Sequence, residues 1–241
     1  MSVKGDTSGG VLALILARAG SKGLPGKNEL DVAGRPMLAW TVDCAREAAC
    51  VERVVLTTDG ERLAEMGRSL GVEVVERPGA LADDTATVDA AARHAVTVLE
   101  AGGASYSEVV LLYGNVPVRP SGLVDRAVSM LRETGCDSVQ SVCGVGKAHP
   151  YWMKTLDETG RMSAYEANQV YRRQDLPPVY LLDGGLIAVR RASLFVECAG
   201  EPHAFLGEDR RAVVTEPGEV IDIDTAADLA VAEAVLLSRG D

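Results

Sequence analysis

Short apolar runs alternate with segments of helical period along almost the whole chain, and this alternation constrains the fold more than any other feature. Residues 11–17, Val-Leu-Ala-Leu-Ile-Leu-Ala, form a continuous apolar run, the pattern of a parallel strand covered on both faces. Further strands are expected at 53–57, 72–75, 108–112, 137–142, 185–190 and 219–224. Helices are expected between them at 36–49, 61–70, 87–101, 121–133 and 225–238, where apolar residues recur three and four apart. Pro36 suits the first turn of the first helix, and Gly71 is placed to stop the second. Such alternation predicts an α/β fold with a mostly parallel central sheet. Ligands of such sheets bind at the edge where strands run into loops. The rhythm breaks at 144–182, which is rich in Pro, Tyr and Arg and lacks helical period. Within it, 151–155 and 161–165, joined around Glu158-Thr159-Gly160, read as a hairpin. Residues 11–241 therefore read as a single domain carrying an inserted arm at about 144–182, with a polar, Gly/Ser-rich flexible tail at 1–10.

Composition narrows the partners. The 241 residues carry 35 acids against 24 Lys and Arg, a formal net charge of −11. That balance disfavours sequence-blind nucleic-acid binding and attachment to anionic lipid. An acidic chain that binds an anion must gather its positive charge locally. The apolar run at 11–17 is far shorter than the roughly 20 residues that cross a membrane. Five cysteines without CxxC spacing, and three dispersed histidines, indicate neither a disulfide framework nor a zinc site. A reducing, cytoplasmic setting is expected.

The local positive charge lies directly after the first strand, in Ala17-Arg18-Ala19-Gly20-Ser21-Lys22-Gly23-Leu24-Pro25-Gly26-Lys27-Asn28. Its glycines let the backbone turn tightly and aim N–H groups at an anion. Arg18, Lys22 and Lys27 add three cations, a combination suited to a polyphosphate. The loop is not a Walker A sequence, which would need Gly at Ser21 and Ser or Thr at Asn28, and it is not GxGxxG. Near the other end, Asp222 and Asp224 share one face of an expected strand while Ile221 and Ile223 take the other. Two neighbouring carboxylates repel unless a cation joins them. Mg2+, which commonly takes one or two carboxylates plus phosphate oxygens, fits. Alternatively, the pair sits on a solvated edge, with Asp224 capping the helix that follows.

The loop resembles the signature ARxGSKGLPxKN of the cytidylyltransferases that activate eight- and nine-carbon sugar acids, the CMP-sialic acid synthetase (acylneuraminate cytidylyltransferase) family. Other stretches agree. Leu56-Thr57-Thr58-Asp59 resembles an STD strand end, Arg77–Ala86 resembles RPxxLAxDTA, and Val220–Thr225 resembles SIDIDT. The likeness runs over roughly 11–238. It implies a Rossmann-like nucleotidyltransferase fold, a small dimerisation arm and a homodimer. It also implies CTP as substrate with Mg2+ as cofactor. By this resemblance Arg18 and Lys27 hold the triphosphate, and Lys27 neutralises charge near the α-phosphorus. Gly20, Ser21, Lys22, Asn28, Arg77 and Ala86 surround the nucleotide. Asp222 and Asp224 hold the metal.

The acceptor half departs from the pattern. Where the family reads LLQPTSPLR, this chain reads Leu111-Leu112-Tyr113-Gly114-Asn115-Val116-Pro117-Val118-Arg119, so Tyr113 replaces the Gln that faces the sugar. In the family's Arg…RPNGA stretch, Arg173 matches the first Arg, but Leu181 replaces the second and Asp183 the Asn. A bidentate Arg–carboxylate contact is not replaced by leucine. Tyr113, Asn115, Arg119, Arg173 and Asp183 are the candidate acceptor residues. The resulting expectation is a Mg2+-dependent transfer of CMP from CTP to a small anionic acceptor, a sugar acid or other small acid distinct from N-acetylneuraminate. A sugar-phosphate nucleotidyltransferase using another nucleotide and a catalytically silent nucleotide-binding protein are the alternatives.

Overall fold

The computed structural model describes residues 9–20, 23–83 and 86–239. Most of the expected tail, at 1–8, lies outside the described residues, and Gly10 already belongs to the first strand. In chain order the elements are β1 (Gly10–Leu16), β2 (Asp31–Val32), β3 (Arg35–Pro36), α1 (Met37–Glu47), β4 (Arg53–Thr58), α2 (Glu61–Ser69), β5 (Glu73–Glu76), α3 (Val88–Ala101) and β6 (Tyr106–Tyr113). They continue as α4 (Leu123–Thr134), β7 (Ser138–Gly144), β8 (Lys154–Leu156), β9 (Met162–Ala164), β10 (Tyr180–Arg190), α5 (Arg191–Leu194), β11 (Arg210–Thr215) and α6 (Ala226–Arg239).

Seven strands form one sheet in the order β11-β7-β10-β6-β1-β4-β5. β10 runs antiparallel to both of its neighbours, and the other pairings are parallel. β1 is buried along its whole length, as its unbroken apolar run requires. Its side chains alternate between two core layers. Val11, Ala13 and Ile15 pack with α1 and α4, and Leu12, Leu14 and Leu16 pack with α3. β4 and β5 extend the sheet on one side of β1, whereas β6 pairs on its other side. The winding thus reverses between β1 and β6, and the loops that follow these two strands flank the crevice such a reversal opens.

Three expectations change. The strand expected at 185–190 begins at Tyr180, so residues 180–182, expected at the end of the arm, pair within the sheet. The expected strand at 219–224 is an extended segment held by a single antiparallel bridge, Val118 to Ile221. β11 has no counterpart among the expected strands, because its Arg-Arg-Ala-Val-Val-Thr sequence buries only Val213 and Thr215 at the sheet edge. The hairpin of the arm is present as β8 and β9. Asp157 pins its turn by accepting from the Thr159 and Arg161 amides, each at 2.9 Å.

Candidate active site

The loop after β1 is shaped by its glycines and by two anchors. Gly26 has φ 66° and opens a single 3-10 turn at Lys27–Glu29. Gly23 lies so close to the last segment that a Cβ there would stand 2.8 Å from the Asp224 carbonyl oxygen. Asp59, at the end of β4, accepts from the Ala19 amide at 2.9 Å. Asn28 is buried and donates to the Arg18 carbonyl at 2.9 Å. Its Oδ1 faces Gly114, where a Cβ would approach to 3.3 Å. Asn28, expected to meet the nucleotide, is buried beside the end of β6, and its Oδ1 has no hydrogen-bond partner among the described residues.

Lys27 Nζ meets Asp224 Oδ1 at 2.6 Å, joining positions 197 residues apart. The 221–224 segment keeps a strand-like alternation without a full strand: Ile223 is buried and Asp222 and Asp224 are exposed. Its amides reach the loop after β6, Ile221 N to the Val118 carbonyl at 3.2 Å and Ile223 N to the Asn115 carbonyl at 2.9 Å. The Asn115 side chain donates to Asp222 Oδ1 and to the Ile223 carbonyl. Although Asp222 as a residue stays exposed, partial desolvation of its carboxyl and the neighbouring Asp224 charge push that carboxyl above its ordinary value, against the opposing pull of Lys27 and Arg119. Asp224 does not cap α6. Thr225 and Asp228 do so reciprocally, Thr225 N donating to Asp228 Oδ2 at 2.8 Å and Asp228 N to Thr225 Oγ1 at 3.3 Å.

Asp222 and Asp224 suit a divalent cation. Asn115 and Lys27 engage one oxygen of each, and among the described residues neither Oδ2 atom is engaged by a hydrogen bond. Among the described residues no cluster of three or more His, Cys, Asp or Glu could hold a metal. A cation here would take its remaining ligands from phosphate oxygens and water, the usual preference of Mg2+.

On the other flank, the Arg77 side chain donates to the Thr57 carbonyl at 3.0 Å and its guanidinium pKa is lowered, by burial first and by the nearby Arg18 charge. Arg18 Nη1 also reaches the Asp83 carbonyl at 3.4 Å. The two arginines thus form a cationic flank to the loop, beside a cavity of about 290 Å3 lined by Asp59 and Arg77. The Ala86 amide, expected near the nucleotide, is taken by Asp83 Oδ1 at 2.8 Å. Ser21 and Lys22 lie outside the described residues.

The acceptor candidates separate. Tyr113 stands at the end of β6 near Asp222, and burial followed by that charge raises its phenol pKa. Arg173 lies apart, on the rim of a cavity of about 210 Å3 between the arm, with His149, and the start of β10 at Tyr180. His149 is buried, accepting from the Tyr151 amide on Nδ1 and bonding the Pro177 carbonyl through Nε2, so it is spent within the arm. Arg119 and Asp183 require correction. Arg119 is only 7% exposed and gives its donors to backbone carbonyls and Thr41. Asp183 accepts from Ser141, Thr215 and the Gly185 amide. Both are turned away from an acceptor. The partners they use, Thr41, Ser141 and Thr215, escape a reading of the sequence because isolated hydroxyl residues carry no motif. Asp59 shows in the sequence only as part of a strand-end pattern. A further cavity of about 660 Å3 lies behind Arg119 between α1 and α6, and none of Lys27, Asp222 and Asp224 lines it.

A doubly wound sheet with a glycine-rich basic loop at its reversal point is the architecture of an α/β nucleotide-binding enzyme. The sequence profile of the cytidylyltransferase family matches residues 12–183, and the chain belongs to this family of CTP-dependent enzymes. CMP-N,N'-diacetyllegionaminic acid synthase of Legionella pneumophila is 30% identical over 234 residues, 94% of this chain and 96% of that one. N-acylneuraminate cytidylyltransferase of Streptococcus agalactiae is 34% identical over 178 residues, 73% of this chain but 42% of that longer one. A solved structure of CMP:2-keto-3-deoxy-manno-octonic acid synthetase complexed with CTP superposes with a TM-score of 0.72 at 20% identity, covering 95% of this chain and 99% of that one, and shares the fold.

Proposed function

We propose that this enzyme transfers CMP from CTP to a sugar acid other than N-acetylneuraminate, with Mg2+, and releases pyrophosphate. An acceptor hydroxyl loses its proton to water as its oxygen attacks the α-phosphorus. The bond from that phosphorus to the bridging oxygen breaks, and pyrophosphate departs with the electron pair. The observation that carries the reading is the Lys27–Asp224 pair at 2.6 Å. It draws the phosphate loop and the two-carboxylate segment to one point at the sheet's reversal. Lys27 holds and neutralises the triphosphate there, and Arg18 and Arg77 bind the nucleotide on the β4–β5 side. Asp222 and Asp224 would hold Mg2+, which when bound would neutralise phosphate charge and orient the leaving group.

The acceptor reading rests on Tyr113 beside Asp222 and on Leu181 where the sialate pattern has Arg. The near full-length likeness to a legionaminate enzyme supports it. Asp183 turns inward, so the negative charge it adds to the pattern lends no support. A homodimer is part of the proposal. The arm exposes Leu156, Met162, Tyr165 and Tyr171, and the adjoining strand Leu181 and Leu182, apolar side chains that a second copy would cover.

The test is pyrophosphate release from each of CTP, UTP, GTP and ATP with Mg2+ and a panel of eight- and nine-carbon sugar acids. Release with CTP and an acid other than N-acetylneuraminate is expected. It should fall by about 10²–10³ in Lys27→Ala, the usual cost of losing one charge-stabilising donor. N-acetylneuraminate as the best acceptor would overturn the acceptor reading, and full activity in EDTA would overturn the metal reading.

A further inference from the structure

We propose that Arg119 and Asp183 are positioning residues, a single strut, buried at Arg119 and half-buried at Asp183, that runs from the bend in β10 to the loop after β6 and sets where Asp222 stands. The inference rests on the reading of Asp222 and Asp224 as the carboxylates that meet metal and triphosphate.

The strut begins at Asp183. Its Oδ1 accepts from the Gly185 amide at 2.9 Å and from Ser141 of β7, and its Oδ2 from Thr215 of β11 at 2.6 Å. Three strands are thereby tied at the point where β10 shifts register between Leu182 and Ile187. The bend also needs its glycines. Gly184 has φ 76°, and a Cβ on Gly185 would stand 2.7 Å from Ser141 Oγ. The fixed Gly185 carbonyl then accepts from Arg119 Nε at 2.6 Å.

From there the guanidinium fans out. It donates to the Tyr113 carbonyl at 3.0 Å, to the Val116 carbonyl and to Thr41 Oγ1 at 3.1 Å. Tyr113 and Val116 bracket Gly114 and Asn115, so the cation clamps both sides of the turn that presents Asn115. Asn115 in turn grips Asp222 with its side chain and Ile223 with its carbonyl. Only a planar fork can serve converging carbonyls in this way.

A buried cation is costly unless its donors are satisfied and its charge is balanced. Among the described residues no carboxylate forms an ion pair with Arg119, and its contacts are neutral oxygens. The carboxylates whose charge reaches it are Asp183 and Asp222, one at each end of the strut. An apolar side chain would fill this interior position at less cost, so the charge is explained by what it holds.

The test is CTP binding by calorimetry with and without Mg2+, which needs no acceptor. In the wild type Mg2+ is expected to tighten CTP binding, and Asp222→Asn to abolish that tightening. Arg119→Lys keeps the charge and loses the fork. It should forfeit about tenfold of the metal-dependent tightening, as loss of a supporting contact behind a metal ligand does. Binding of CTP without metal should be unchanged. Asp183→Asn, a milder change, should move the same quantity in the same direction and serves if Arg119→Lys does not fold. In an Asn115→Ala background Arg119→Lys should have no further effect, because the path is already cut. Metal enhancement retained in both Arg119→Lys and Asp183→Asn would overturn the proposal. So would equal weakening of CTP with and without Mg2+. An enhancement absent from the wild type, or untouched by Asp222→Asn, would instead sink the carboxylate reading and the strut with it.

Discussion

Asp222 is exposed as a residue, yet partial desolvation of its carboxyl and the adjacent Asp224 charge raise its pKa above the ordinary value. A carboxyl with a raised folded pKa favours the fold most below its unfolded pKa, near 4, and that contribution is lost as pH rises through the folded value. Asp222→Asn should therefore melt at a higher temperature than the parent near neutral pH, without metal or nucleotide. The gain should shrink to nothing as pH is lowered through the carboxylate range. Thermal melts from pH 3 to 8 would show it, and a variant less stable than the parent at neutral pH would contradict it. Lys27, Asp222 and Asp224 are legible in the sequence, because charge spacing on a glycine-rich loop and an alternating strand-like segment are local patterns. Arg119 and Asp183 read in the sequence as acceptor residues, and the structure corrects this for the opposite reason. Whether a charged side chain faces a ligand or the interior depends on carbonyls and hydroxyls brought to it from β6, β7, β10 and β11, and no spacing reveals them.

α6 shows how a helix start can serve a neighbouring site. Because Thr225 and Asp228 satisfy the first turn, the Asp224 carboxylate is left to Lys27. Thr225→Ala should cost about 1 kcal/mol of stability, the usual value of a lost N-cap. For a chain of this size that lowers Tm by roughly 2–4 °C in calorimetry. An unchanged Tm would show the cap to be redundant. The five longer helices and the parallel strands other than β11 are legible from periodicity, and α2 does stop ahead of Gly71, the residue after its C-cap Leu70, whose φ is 70°. The start of β10 is hidden in the sequence because Tyr180, Leu181 and Leu182 follow Pro177-Pro178 and look like more arm. Its antiparallel direction is not legible at all, since a strand's orientation depends on the path by which the chain re-enters the sheet. The 219–224 segment alternates as a strand should, yet the loop after β6 offers it only one bridge.

The apolar surface of the arm bears on how the protein exists in solution. Leu156 is 69% exposed and Met162 64%, on facing strands of the same hairpin. Light scattering coupled to gel filtration is expected to give about twice the 25.4 kDa chain mass. Leu156→Lys with Met162→Lys should return the protein to that single mass, because burying two cations against apolar surface opposes association. A wild-type monomer at micromolar concentration would contradict the dimer. Fold class, the arm's place and the phosphate loop follow from the order of residues, because the period of apolar side chains and the backbone freedom of glycine act over a few positions. The pairing of Lys27 with Asp224, the insertion of β10 between β6 and β7, and the inward turn of Arg119 and Asp183 follow from packing. Each joins groups far apart in the chain, and such contacts form only when burial of the two core layers has brought the strand ends together.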